Sequence, residues 1–147
     1  MNWDRYQLPD QPLDLDTPVD LSRGQHKEAV QIISALSEAL GNLPVVLSQD
    51  GKVVCYSDTT DEPAAQRLAR IAGRVWREGQ VQNAQEAIRF EEEIVEGLQE
   101  RMNLMLYTTH VGGALTLSIG WQITISLTQL RAEASDACRL LRRVIGS

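Results

Sequence analysis

The sequence predicts an α/β fold with a single five-stranded antiparallel sheet and helices on both faces, in the order α-β-β-α-β-β-β-α. Two observations predict it. Three segments carry apolar residues at helical spacing, and five others are short β-forming runs or alternate with period two. Turn signals separate the strands, above all Asp50-Gly51 and the Gly112-Gly113 pair. One sheet covered by helices is the layer arrangement that buries all of these apolar faces.

The first helix opens at Ser22, where Ser22 and Gln25 have capping-box spacing. Val30, Ile33, Leu36 and Leu40 form its apolar face, widened by Ala29 and Ile32, and Gly41-Asn42 ends it. Leu43 to Leu47 and Val53 to Tyr56 are two strands of a hairpin, since Asp-Gly accepts the positive φ that a tight hairpin turn needs. Pro44 fits only the beginning of a strand or an edge. Asp61 caps the middle helix, and Pro63 falls in its first turn, where a missing N–H costs little. That helix runs to about Glu78, stops at Gly79, and buries Leu68, Ile71, Ala72 and Val75. From Ala87 three alternating strands follow, broken by Gly97 and by Gly112-Gly113 and ended by Gly120. Ser126 and Gln129 repeat the capping spacing at the start of the last helix, whose face is Leu127, Leu130, Ala134, Ala137, Leu141 and Val144. Arg139, Arg142 and Arg143 crowd its C-terminal turns, where cations complement the helix dipole.

The 147 residues suit one domain, and a 43% hydrophobic content supplies a core. Residues 1–21 differ in composition. They hold Pro9, Pro12 and Pro18, and five aspartates (Asp4, Asp10, Asp14, Asp16 and Asp20) against Arg5 alone. The expected organisation is an acidic, Pro-rich extended tail over 1–21 and a folded domain over 22–147. On that reading deletion of the tail leaves thermal stability nearly unchanged, unless Trp3, Tyr6 or Leu8 docks on the domain.

The net charge of −6 opposes broad nucleic-acid binding, which needs a surplus of Lys and Arg. No apolar run approaches a membrane span, and MNWDRYQLPD places charge and Pro where a leader peptide is apolar, so a cytoplasmic location is expected. Cys55 and Cys138 belong to no CxxC, and neither His26 nor His110 has ligand spacing to them. They read as reduced, partly buried thiols. No metal and no cofactor is expected.

The sequence lacks GxxxxGK[ST], a strand-to-helix GxGxxG, HExxH and GxSxG. His110 stands before a glycine pair and reads as a solvated turn histidine. Glu91, Glu92 and Glu93 point to alternate faces of a strand, so they are not a ready acid–base pair. Trp76 and Trp121 read as packing residues. No catalytic residue is expected.

The middle helix is more informative. Arg67, Arg70, Arg74 and Arg77 recur at three- and four-residue steps opposite the apolar face and are the expected partner-binding residues. Ala65, Ala69 and Gly73 stand at i, i+4 and i+8, a row of small residues that lets another backbone approach closely.

The stretches LPVVLSQDGKVVCYSD, QRLARIAGRVW, AIRFEEE and GALTLSIG follow in an order that resembles the Roadblock/dynein light chain family. The resemblance covers most of Ser22 to Val144 and implies a Roadblock-like, profilin-like sandwich. It also implies a homodimer in which the third strands pair across subunits and the middle helices pack on one face. The corresponding subunit contact here comprises Ala65, Ala69, Ala72, Gly73, Trp76, Ile88 and Phe90. Bacterial members of the family commonly act with Ras-like small GTPases as regulators or scaffolds. Those that stimulate hydrolysis position the GTPase's own catalytic groups without an arginine finger. The resemblance thus implies a non-catalytic, homodimeric partner of a small GTPase. A sensory module of the PAS or GAF type is the alternative, because such sheets also contain strand-Asp-Gly-strand hairpins. The long acidic N-terminal segment departs from the family pattern.

Overall fold

The computed structural model describes residues 18–77, 86–95, 100–122 and 124–146. Helix α1 spans Arg23–Ala39, strand β1 Val45–Gln49, β2 Lys52–Tyr56 and helix α2 Glu62–Arg77. Strand β3 spans Glu86–Val95, β4 Glu100–Gly112, β5 Leu115–Trp121, and helix α3 Leu127–Ile145. The five strands form one antiparallel sheet in the order β2-β1-β5-β4-β3. Fold class and element order agree with the sequence expectation. Gly79 and Gly97 lie outside the described residues.

Local signals explain the elements. Ser22 caps α1 with a reciprocal capping box: its Oγ accepts from Gln25 N, and Gln25 Oε1 accepts from Ser22 N. Gly41 and Asn42 follow the helix with φ of 76° and 69°, the left-handed stop expected there. Asp50 and Gly51 have φ of 57° and 78°, so the β1–β2 connection is a two-residue turn of the primed type. Asp61 Oδ1 accepts from Ala64 N at 2.8 Å and caps α2. Ser126 Oγ accepts from Gln129 N and caps α3.

Alternation along the strands divides the core in two. Helices α1 and α3 cover one face over Val45, Leu47, Tyr107, Val111, Leu115, Leu117 and Ile119. Gln25 Nε2 of α1 donates to the Val144 carbonyl of α3 at 2.9 Å and joins the two helices. Helix α2 covers the other face over Val46, Leu106 and Ala87. Cys55 and Cys138 are free thiols buried in the α1/α3 core. Burial pushes them up to about 12 and about 11, so both stay protonated and inert at neutral pH.

Three placements differ from expectation. Val19 is buried and Leu21 packs against the same core, so packing begins two residues before the boundary that composition drew at residue 21. Deletion through residue 21 removes core surface. Trp3, Tyr6 and Leu8 lie outside the described residues. His110 sits in strand β4, paired with Thr116, and not in the following turn. The alternation continues one pair further than the turn signal suggests, and the ladder bulges only between His110 and Gly112.

The third difference concerns the row of small residues. Ala65, Ala69 and Ala72 are fully buried within the one chain. A Cβ added to Gly73 would stand 2.6 Å from Gly51 Cα and 2.8 Å from Gly51 N. The row lets α2 descend onto its own β1–β2 turn and sheet; the backbone that approaches Gly73 belongs to this chain. The clash at position 73 is with backbone, which cannot swing aside. Gly73→Ala is therefore expected to cost about 1–3 kcal/mol, read as a lower urea midpoint with an unchanged slope. An unaltered midpoint would show that the turn moves freely.

Candidate protein-interaction surface

Helix α2 presents two unlike sides. Its inner side carries small and aliphatic groups with Trp76 at one margin, and the sheet beneath it mixes Val46, Leu106 and Ala87 with a row of hydroxyl side chains. Ser48 Oγ and Thr116 Oγ1 lie 2.9 Å apart across β1 and β5, and Thr108 Oγ1 and Ser118 Oγ lie 3.1 Å apart across β4 and β5. All four are buried. Trp76 Nε1 donates to Thr108 Oγ1 at 3.1 Å and extends this seam to the helix. Short hydroxyl side chains below and alanines above allow the helix to lie close, while each buried hydroxyl keeps a partner. In the sequence Thr116 and Ser118 are only the polar half of an alternation. Their burial follows from α2 covering that face, which alternation alone does not reveal.

At the end of this seam the His110 ring meets the Trp76 ring, with centroids 3.9 Å apart. His110 Nδ1 is buried without a hydrogen-bond partner. Burial lowers the imidazole pKa, so the neutral ring is favoured. Trp76 is half-buried, which leaves part of it at the rim of α2. Trp121 Nε1 donates to the Ile125 carbonyl at 2.8 Å and packs beside the other core, as expected of a packing residue.

The outer side of α2 carries the arginine stripe. Arg70, Arg74 and Arg77 are exposed and Arg67 is half-buried. Arg77 Nε donates to the Gly73 carbonyl at 3.2 Å, holding its side chain along the last turn. Arg74 and Arg77 also lie where a cation complements the helix dipole.

Strand β3 is an edge of the sheet, and its register with β4 is continuous from Glu86–Thr109 to Val95–Glu100. Its side chains alternate across the sheet. Ala87 packs beneath α2. Glu86, Ile88 and Phe90 face the α1/α3 side. There the Tyr107 hydroxyl donates to Glu86 Oε2 at 2.6 Å, and Arg131 Nε of α3 donates to Glu86 Oε1 at 2.8 Å. Burial pushes the Glu86 carboxyl up, but these hydrogen bonds and the Arg131 charge outweigh it and hold the carboxyl below its ordinary value. The triad fixes one end of the edge strand to the domain. Beyond it Ile88 is 40% and Phe90 63% exposed. Two large apolar side chains thus stand open on a strand that has a neighbour in the sheet, among the described residues, on one side only.

Of the expected contact residues, Ile88, Phe90 and the rim of Trp76 have surface to offer a second subunit. Ala65, Ala69 and Ala72 have none, and Gly73 is held against the β1–β2 turn. Among the described residues, no group of three or more His, Cys, Asp or Glu is placed to hold a metal ion. No helix among them is long and apolar enough to cross a membrane.

No family model and no curated protein matches the sequence. Solved structures match the fold. An MglB with a tetrameric arrangement superposes with a TM-score of 0.63 at 19% identity, covering 87% of this chain and 95% of that one. The gliding protein MglB from Thermus thermophilus gives 0.62 at 19% identity, covering 87% and 96%. The Roadblock/LC7 domain from Streptomyces avermitilis gives 0.55 at 18% identity, covering 80% and 97%.

The buried His110 makes stability depend on pH. The unfolded chain takes up a proton near the ordinary histidine value of about 6.5, while the folded chain resists it. The stabilising difference is present above that pH and is lost as pH falls through the folded value. Melting temperature is expected to fall from pH 7.5 to 5.5 more steeply in the wild type than in His110→Phe, which keeps the ring contact. Equal slopes would show that His110 titrates normally in the fold.

Proposed function

We propose that this chain, which has the Roadblock fold, is a non-catalytic homodimer that regulates or scaffolds a Ras-like small GTPase. The observation that carries the reading is the open β3 edge with Ile88 and Phe90 exposed, alongside a helix that turns four arginines outward. An unpaired edge with large apolar groups is an aggregation hazard unless something covers it. A second copy is the simplest cover: antiparallel pairing of two β3 strands continues the sheet and brings two α2 helices onto one face. The arginine stripes then combine into a positive patch on an acidic particle. Such a patch steers an acidic partner face and raises its association rate more than its final affinity.

The GTPase assignment rests on the Roadblock resemblance and the shared fold, in which bacterial MglB proteins are the structural neighbours. The chain supplies a docking platform. The GTPase supplies the nucleotide site and the catalytic groups. The dimer is expected to be cytoplasmic, with no cofactor.

Two measurements test this. Phe90→Asp is expected to shift the mass in light scattering from dimer toward monomer while circular dichroism stays unchanged. A wild-type chain that remains monomeric at all concentrations would overturn the dimer. In pull-downs, the small GTPases of the same organism are loaded with GDP or a GTP analogue, and one is expected to bind with a nucleotide preference. Arg70→Glu with Arg74→Glu should slow its association about tenfold or more at low salt and flatten the salt dependence. An unchanged rate would leave the stripe as a solvated helix face.

A further inference from the structure

We infer that His110 and Trp76 form a proton-sensitive latch: when the imidazole takes up a second ring proton it leaves Trp76, and the last turn of α2 loosens from the sheet. The consequence for a partner rests on the reading of α2 as a partner surface; the latch itself does not.

Two contacts of Trp76 tie the last turn of α2 to β4. Its Nε1 donates to Thr108 Oγ1 at 3.1 Å, and its ring lies against the His110 ring with centroids 3.9 Å apart. Thr108 and His110 are two residues apart on one strand, so both stand on the face beneath the helix.

The chemistry of the ring makes the second contact conditional. A neutral imidazole carries one proton, and an imidazolium carries one on each nitrogen. His110 Nδ1 is buried with no hydrogen-bond partner. The neutral ring can keep its proton on Nε2 and leave Nδ1 a bare lone pair. The imidazolium places an N–H and part of the positive charge at Nδ1, away from water and without an acceptor. The neighbouring hydroxyls of that face are engaged elsewhere. Thr108 Oγ1 accepts from Trp76 and lies 3.1 Å from Ser118 Oγ. Thr116, paired with His110 across the ladder, donates to the Ser48 carbonyl at 3.2 Å. The charged ring therefore finds its missing acceptor in water. A cation does gain from an indole face, but these rings meet tilted at 46°, and burial holds the imidazole below its ordinary value.

Neighbouring charges do not set this balance. From α2 the ring meets Trp76, while the charged residues of that turn, Arg74 and Arg77, are exposed on its outer side. From β5 it meets Thr116, with Ser48 of β1 beyond. Among the described residues of β3, Arg89 shares the face but stands opposite Leu106, and Glu86 points to the other face. Burial alone lowers the imidazole pKa.

The side chain moves, and the strand stays. Val111 is buried on the opposite face, and Arg142 Nε of α3 donates to its carbonyl at 2.8 Å. The ladder bulges between His110 and Gly112, and a Cβ at Gly112 would meet nothing within 4 Å. A ring turning past Gly112 thus has space. Without the ring, Trp76 keeps its bond to Thr108, and the turn that carries Arg74 and Arg77 is freer. Gly73 stays locked to Gly51, so the loosening ends there.

The test uses the full chain and needs no partner. NMR follows the His110 ring and the Trp76 indole from about pH 8 to about pH 5. Trp76→Phe identifies the indole among those of Trp3, Trp76 and Trp121. The ring is expected to titrate below the ordinary histidine value of about 6.5. Through the same midpoint the Trp76 indole signal should shift. Amide protection of residues 74–77 should fall about tenfold or more relative to His110→Phe at the same pH, while α1 and α3 hold theirs. His110→Phe keeps a ring and His110→Gln keeps polarity, and neither variant should show the Trp76 step. Trp76 signals that stay constant while His110 titrates would overturn the latch. So would an equal step in either variant, or loss of signals across the whole domain with no earlier change at Trp76. Because no GTPase enters the assay, failure of the GTPase assignment leaves the result standing.

Discussion

The depth at which α2 sits on the sheet decides what the rest of that side can do. Gly73 and Gly51 meet backbone to backbone, with no room for a Cβ between them. This contact locks the helix to the β1–β2 turn. It brings Ala65, Ala69 and Ala72 into the sheet, closes the hydroxyl seam against Trp76, and turns the four arginines outward together. On the opposite, α1/α3 face Gln49, the last residue of β1, anchors the incoming chain at Val19. One close approach thus sets the helix position and the direction of its exposed charge.

Much of the fold was legible because local signals and packing agreed. The capping box at Ser22, the cap at Asp61, the Asp50-Gly51 turn and the apolar periods of three helices each impose one local geometry, and all are compatible with one sheet. The misplacements have a common cause. Spacing along a chain shows which residues share a face but not what stands opposite. The row Ala65, Ala69 and Gly73 correctly signals a close backbone approach, yet only the folded chain shows that the approaching backbone is its own turn. Thr116 and Ser118 share a face in the sequence as in the structure, but their burial depends on α2, some 40 residues away. His110 has the setting of a turn residue because glycine breaks a strand pattern, and here the strand persists to Gly112. Val19 belongs to the core despite its acidic, Pro-containing surroundings, because a single glutamine side chain satisfies both of its backbone groups.

The candidate surface was legible in its residues and not in its layout. The arginine stripe follows directly from three- and four-residue steps. Exposure of Ile88 and Phe90 requires knowing that β3 ends the sheet and that α3 does not extend over it. The Arg131–Glu86–Tyr107 group, which no sequence motif announces, holds the other end of that strand to α3. An edge secured at Glu86, with apolar groups exposed at the next positions of the same face, is suited to pairing with another strand without melting from its own domain. On the proposed reading the charged helix and the apolar edge play separate parts: the edge would build the assembly, and the helix would meet what the assembly binds.

Hydrogen exchange on the chain alone and with a small GTPase of the same organism tests this proposed division most directly. The account predicts slow exchange along β3 in the free protein, from pairing between subunits, and added protection on residues 67–77 only when the GTPase is present. Fast exchange along β3 at concentrations where the protein is assembled, with GTPase-dependent protection confined to α1 and α3, would contradict it.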